Sequence, residues 1–202
     1  MAQGQSFVIM ARTKDFDEQA VLKKAIQLFS RRGYAATSMQ EVVDALGISR
    51  SSLYDTFGDK HQLYLQALKA YKQESTRQLA IQMSEAKSMK AAIRDLLEAT
   101  VKGLLQDRQQ KGCLLTNAGV ELAAQDKAVR ALVCQGEQDM EELLLQALKR
   151  GQASGEISSA QSAQSLARFL SNTIKGFQVA VKSNTDPSFF ADIIEVSLRA
   201  LD

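Results

Sequence analysis

A chain of 202 residues with 45% hydrophobic and 24% charged residues, one proline and a net charge of +2 has enough apolar surface for one or two packed, helical domains. No apolar run approaches the roughly 20 residues that span a bilayer, and the opening segment lacks the charged lead-in and apolar length of a secretory signal, so no membrane span is expected, while the low cysteine count favours a reducing cytoplasm. Two cysteines, Cys113 and Cys134, are too few for a disulfide framework and too far apart for a zinc site, and the single histidine, His61, argues against a catalytic or metal cluster, so no catalytic residue, metal or cofactor is expected.

Residues 1–14 read as an arm ahead of the first helical pattern. Arg12 and Lys14 on it suit either a solvated tail or a segment that follows a DNA backbone or dips into a minor groove. Asp15 or Asp17 caps the first helix, whose apolar stripe is Leu22, Ala25, Ile26 and Phe29. Lys23, Lys24, Arg31 and Arg32 lie off that stripe, the arginines at the C-terminal end where the helix dipole favours cations. Gly33 ends it. Thr37 or Ser38 opens a second helix, with Glu41 placed for a capping box and Met39, Val42, Val43 and Leu46 facing inward. A third helix starts at Ser49, carries Leu53, Tyr54 and Phe57, and stops at Gly58, after which Asp59 opens a long fourth one. Two short helices meeting at Ala45-Leu46-Gly47-Ile48-Ser49 have the grammar of a helix-turn-helix.

Across residues 16–65 the words AIQLFSRRGYAATSMQEVVDALGIS and SSLYDTFGDKHQLY set out an apolar helix, Gly-Tyr, Thr-Ser, Gly-Ile-Ser, Leu-Tyr, Phe and Lys-x-x-Leu in one ungapped order. That block resembles the DNA-binding domain of the TetR family of bacterial transcriptional regulators. The resemblance implies an all-α fold: an N-terminal three-helix DNA-binding domain with a helix-turn-helix at 15–62, then a C-terminal helical ligand-binding and dimerisation domain at 63–202. It also implies a ligand-responsive repressor that binds a palindromic operator in double-stranded DNA as a homodimer and is released by a small-molecule effector. Residues 1–60 hold eight Lys or Arg against seven acids, so affinity has to come from placed contacts rather than a broad basic surface.

A major groove admits one α-helix, and the early residues of the second paired helix face base edges. Here those are Ser49, Arg50, Ser51 and Ser52. Arg50 suits guanine O6 and N7 or, alternatively, a phosphate; Ser49 is open to capping its own helix. Thr37, Ser38 and Lys60 stand where helix starts present donors to phosphates. Tyr54 resembles the family's backbone-contacting tyrosine, with core packing of its ring as the other role. Ser51, Asp55 and Thr56 depart from the family pattern, and Asp55 beside a phosphate would be repelled.

From about Lys69 the family signature fades while helical patterns continue. Residues 91–105 form one pattern, 106–112 a polar break, and CLLTNAGVELAA at 113–124 another, which more loosely resembles a subset of such regulators having Gly-Cys-Leu before a small, polar helix. Cys113 follows Lys111-Gly112 at a helix start. It is either a thiolate able to sense oxidants or electrophiles, which would make the chain a thiol-based repressor, or a small buried hydrophobe. Cys134 reads as packing. A long amphipathic pattern from Val129 closes at Lys149-Arg150-Gly151, a turn-rich loop follows, and Asp186-Pro187 starts the last helix. Effector contacts are expected from Cys113, Thr116, Asn117, Asn172, Thr173 and Gln178, polar points in otherwise apolar helices. The last two helices carry more apolar width than one core face needs, so Phe169, Thr173, Phe177, Phe190 and Ile194 are expected in a four-helix dimer bundle. A helical enzyme is the remote alternative, and it lacks the acid, base or metal cluster it would need.

Overall fold

A computed structural model describes residues 16–107, 109 and 111–202; the arm at 1–14, with Arg12 and Lys14, and the candidate cap Asp15 lie outside the described residues. Among the described residues the order is α1 Glu18–Arg32, α2 Met39–Leu46, α3 Arg50–Phe57, α4 Lys60–Glu85, α5 Met89–Gln106, α6 Leu114–Glu121, α7 Lys127–Ala153, α8 Ala163–Ala180 and α9 Pro187–Arg199.

Most helix starts are written in the sequence as side-chain caps. Asp17, Ser38, Ser49, Asp59, Ser88, Asp126, Ser162 and Asp186 each accept a hydrogen bond from a backbone N–H in the first turn of the following helix. Ser38 and Glu41 complete the capping box: Glu41 Oε2 accepts from Ser38 N at 2.8 Å and Ser38 Oγ from Glu41 N at 3.2 Å. The Ser38 N–H and hydroxyl, both donating to Glu41 Oε2, with Arg32 and Arg31 nearby, hold the Glu41 carboxyl below its usual range. Cys113 caps α6 by position but makes no side-chain cap bond.

Two apolar clusters organise the chain. The first joins Phe29, Leu46, Leu53, Phe57, Leu63, Tyr64 and Leu68 from α1–α4 to Leu114 and Ala118 of α6 and Val129 and Val133 of α7. The second gathers Leu79 and Met83 at the far end of α4 with α5, the C-terminal half of α7, α8 and α9. Each large side chain so buried contributes about 1.5–3 kcal/mol of transfer free energy. The expected boundary between residues 62 and 63 falls inside α4, which runs unbroken through both clusters.

Two helices differ from the sequence reading. α5 starts at Met89, two residues earlier than expected, because Glu156 reaches across to accept from Met89 N at 2.8 Å and Lys90 N at 3.1 Å, as well as from the Ser88 hydroxyl. The Ser88 hydroxyl most strongly, then these two amides and the Lys90 charge, keep the Glu156 carboxyl below its usual range. α7 does not stop at Gly151 but passes through it to Ala153. Gly151 is there for space: a Cβ on it would lie 2.5 Å from Ile157 Cδ1 and 3.2 Å from Met89 Cβ.

This contrast sets a prediction. Gly151→Ala overpacks the α5–α7 contact and should destabilise by about 1–3 kcal/mol, whereas Gly103→Ala, on an open stretch of α5 with nothing within 4 Å, should stabilise by roughly 0.5–1 kcal/mol. Urea unfolding of the two variants should move the midpoints in opposite directions; equal shifts would contradict the packing described.

Candidate functional site

α2 and α3 are joined at Gly47, whose backbone is left-handed (φ 70°, ψ 31°) and whose N–H returns to Val43 O. A residue with a Cβ is strained there, so the glycine fixes the angle between the two helices. Leu53 and Phe57 anchor α3 in the first cluster. Arg50, Ser51, Tyr54 and Asp55 are thereby turned outward, and Tyr54 is 46% exposed. Its ring is not the core element that one of its two expected roles required. Ser49 Oγ accepts from Ser52 N at 3.1 Å and lies 2.9 Å and 2.8 Å from the Ser51 and Ser52 hydroxyls. Capping therefore occupies Ser49, while the other two serines keep capacity for an external partner.

The expected phosphate donors are placed differently. Thr37 is 1% exposed and its hydroxyl donates to Gly33 O at 2.6 Å, so that side chain faces inward. Lys60 Nζ donates to Thr37 O at 2.7 Å and Tyr34 O at 3.0 Å and sits 4.1 Å over the Tyr34 ring. Both hold the α1–α2 turn in shape, a role hidden from a reading by helix position alone. Ser38 stays exposed at the start of α2.

The same turn is tied to the helical domain. Glu121, at the end of α6, accepts from Ala35 N at 2.7 Å and Tyr34 N at 3.1 Å. Gly33 makes room, since a Cβ on it would meet Glu121 Oε2 at 2.8 Å. Next to this, His61 Nε2 is 2.5 Å from Asp126 Oδ2, while Asp126 Oδ1 caps α7. The Val129 amide, then the His61 bond, hold the Asp126 carboxyl below its ordinary value. Neither Glu121 nor Asp126 was singled out for this role from the sequence, because the partners lie 65 or more residues away.

The expected effector contacts divide. Cys113, Thr116 and Gln178 line one cavity of about 50 Å³, together with Gly136, Glu137, Ser171 and Lys175. Thr116 Oγ1 donates to Gln178 Oε1 at 2.6 Å, and Lys175 Nζ reaches Glu137 Oε1 at 3.1 Å. Gly136 lets the walls close in, because a Cβ there would lie 2.9 Å from Leu115 Cδ1. Tyr71, from α4, meets the Cys113 thiol; burial, with that thiol beside it, pushes the phenol well above its usual range. Asn117 lies elsewhere, donating to Lys111 O at 2.8 Å and accepting from Lys182 Nζ at 2.5 Å. Asn172 is exposed and the Thr173 hydroxyl bonds back to Phe169 O, so neither joins the cavity. Cys134 is exposed rather than packed.

The expected pairing face also needs correction. Phe177, Phe190 and Ile194 are 1%, 0% and 7% exposed and belong to the second cluster, because the inner stripes of α8 and α9 are needed for the chain's own core. The outward stripes carry Phe169, Thr173, Gly176 and Val179 on α8, and Phe189 and Val196 on α9.

Comparison with known proteins agrees with this architecture over nearly the whole length. Residues 21–67 match the family described as "Bacterial regulatory proteins, tetR family", and residues 89–196 match "Tetracyclin repressor-like, C-terminal domain". The chain belongs to the TetR family of bacterial transcriptional regulators. It is 31% identical over 194 residues to the uncharacterized HTH-type transcriptional regulator YezE of Bacillus subtilis (strain 168), covering 96% of this chain and 100% of that one. It is 29% identical to the HTH-type transcriptional repressor ComR of Escherichia coli (strain K12), covering 93% of this chain and 90% of ComR. The fold superposes with a TM-score of 0.84 and 27% identity on a cysteine mutant of the TetR family transcriptional regulator CifR complexed with 26-bp double-strand operator DNA, covering 95% of this chain and 100% of that one.

The tie between Glu121 and the α1–α2 turn can be tested in solution. Glu121→Ala should raise hydrogen exchange at the Tyr34 and Ala35 amides and lower stability by about 1–3 kcal/mol, the cost of leaving donors without their charged acceptor. Unchanged exchange at those two amides would mean that the bridge is not formed.

Proposed function

We propose that the protein represses transcription as a cytoplasmic homodimer, each chain presenting α3 to one half of a palindromic operator, and that a small molecule acting on the helical domain releases it. The observation that carries this reading is the outward face of α3: Arg50, Ser51 and Tyr54 exposed at the start and middle of a helix that Gly47 and Leu53 hold at a set angle. Arg50 is assigned to base-edge readout, Ser51 and Ser52 to close polar contacts, and Ser38 and Tyr54 to the phosphate backbone. A single α3 offers few base-facing groups, so a dyad that doubles them is physically required for a specific site, with half-sites about one helical turn apart.

The doubling surface is assigned to the outward stripes of α8 and α9. Phe169 and Val179 on α8 and Val196 on α9 are 43%, 50% and 63% exposed, apolar surface that a lone chain leaves in water. Gly176, with nothing within 4 Å, allows a partner helix to approach closely.

A second reading of the trigger has its own support. The cavity at Cys113 holds about 50 Å³, far below the roughly 300 Å³ or more of a typical small-molecule pocket. A small electrophile forming a covalent bond to the Cys113 sulfur fits that space better than a bulky ligand, and Tyr71 is placed to hydrogen-bond the sulfur.

Three measurements test these assignments. Arg50→Ala should relax base preference at one position of each half-site by about 1–3 kcal/mol in a selection from randomised duplexes; an unchanged selected sequence would remove Arg50 from readout. Phe169→Glu combined with Val196→Glu should give single chains in sedimentation and sharply weaker operator binding, and a persistent dimer would place the interface elsewhere. Cys113→Ser should keep operator binding yet lose release by N-ethylmaleimide; release that survives the substitution would discard covalent sensing at this thiol.

A further inference from the structure

Where the DNA-binding helices meet the helical domain there is a cleft that the regulator reading touches only at its rim, through Val179. It consists of two adjoining cavities of about 550 and 400 Å³ sharing Arg31 and Lys111. One wall is α1, with Lys24 and Arg31 a helical repeat apart and Arg32 beside them; the other is the end of the α5–α6 connection, α6 and the end of α8, with Lys111 and Lys182. Five cations thus line the cleft, in a chain whose net charge is only +2.

The neighbouring acids leave this excess largely uncompensated. Arg32 is paired with Glu41 at 2.8 Å and Lys111 Nζ lies 3.6 Å from Asp107 Oδ1. Glu121 is the one carboxylate in the wall among the described residues, and it already accepts from the Tyr34 and Ala35 amides. Lys24 and Lys182 donate to neutral oxygens, Leu46 O at 3.1 Å and Asn117 Oδ1 at 2.5 Å, with no carboxylate on either among the described residues. Arg31 is exposed and, among the described residues, neither hydrogen-bonded nor salt-bridged, with Glu41 near enough to feel its charge. Arg31 and Lys182 therefore face the larger cavity, and Arg31 and Lys24 the smaller, with no carboxylate bonded to any of the three among the described residues. Their mutual repulsion is relieved by an anion, and low-dielectric walls strengthen that attraction.

We propose that this cleft binds a compact anion of two or more charges, carrying phosphoryl or carboxylate groups, with Arg31 gripping it from the DNA-binding side and Lys182 from the effector side. A guanidinium presents a planar fork to such oxygens, and an ammonium adds a point charge. The volume admits a small metabolite-sized polyanion. Because the anion contacts both sides of the junction, it binds more tightly to one relative placement of α1 and α8 than to others. By linkage, it shifts operator affinity by the same factor by which DNA shifts its own. That last consequence rests on the regulator reading; the site itself does not.

Calorimetric titration of the full chain with sodium pyrophosphate, and separately with the tricarboxylate tricarballylate, at constant ionic strength tests the site without any DNA. One equivalent per chain should bind, and the arm that binds assigns the anion to the phosphoryl or the carboxylate class; both binding defines a general polyanion site. Arg31→Gln with Lys182→Gln should weaken binding by about tenfold or more while leaving the thermal transition in place, since both side chains are exposed. Arg50→Ala should bind the anion like the unaltered chain. No binding of either anion up to about 10 mM, equal affinity in the double variant, or loss of binding in Arg50→Ala, which would move the anion to the reading face, would each overturn the proposal.

Discussion

Glu121 accepting two backbone N–H bonds from Tyr34 and Ala35, beside the His61–Asp126 pair, holds the two ends of the molecule to each other. Helix α6 is only eight residues long, so a carboxylate at its last position and the cavity-lining cysteine at its N-cap are rigidly related. One end of α6 touches the turn that sets the DNA-binding helices, and the other touches Tyr71 and the walls around Thr116 and Gln178. Gly33 is required twice over at this point. Its φ of +78° suits a residue without a side chain, and the carboxylate fills the space a Cβ would take.

How α2 and α3 are arranged was legible because the signals are local. Ser38 with Glu41, Gly47 and Ser49 lie within a dozen residues, and each prescribes a backbone geometry that the structure repeats. The start of α5 was not legible in the same way, since Glu156 arrives from 67 residues away in sequence. Gly151 illustrates a different loss. A glycine after two basic residues has the look of a C-cap, yet here its missing side chain serves contact with Ile157 instead of a left-handed turn.

Site residues followed the same division. Arg50, Ser51 and Tyr54 could be placed from register alone, because Leu53 and Phe57 fix which face of α3 is buried. Thr37 and Lys60 could not, because their partners are carbonyls of the α1–α2 turn and helix position gives no hint of them. On α8 and α9 apolar residues are plentiful on two faces, so periodicity reported the width of the apolar surface without saying which stripe served the core. Phe177 and Phe190, packed edge to face at 5.7 Å, took the inner one.

The continuity of α4 carries a mechanical consequence. Its 26 residues make a rod about 39 Å long at 1.5 Å per residue, clamped at its far end by Leu79 and Met83 in the second cluster and bearing Lys60 at its near end. No hinge glycine or proline interrupts it. Between those points Lys72 is bonded to Asp139 at 2.8 Å, and Tyr71 abuts Cys113. A helix of this length moves as a lever: a tilt of about 5° about its far end displaces the near end by roughly 3 Å, close to the rise of one base pair. A disturbance beside Tyr71, near the middle of the rod, is therefore roughly doubled at Lys60.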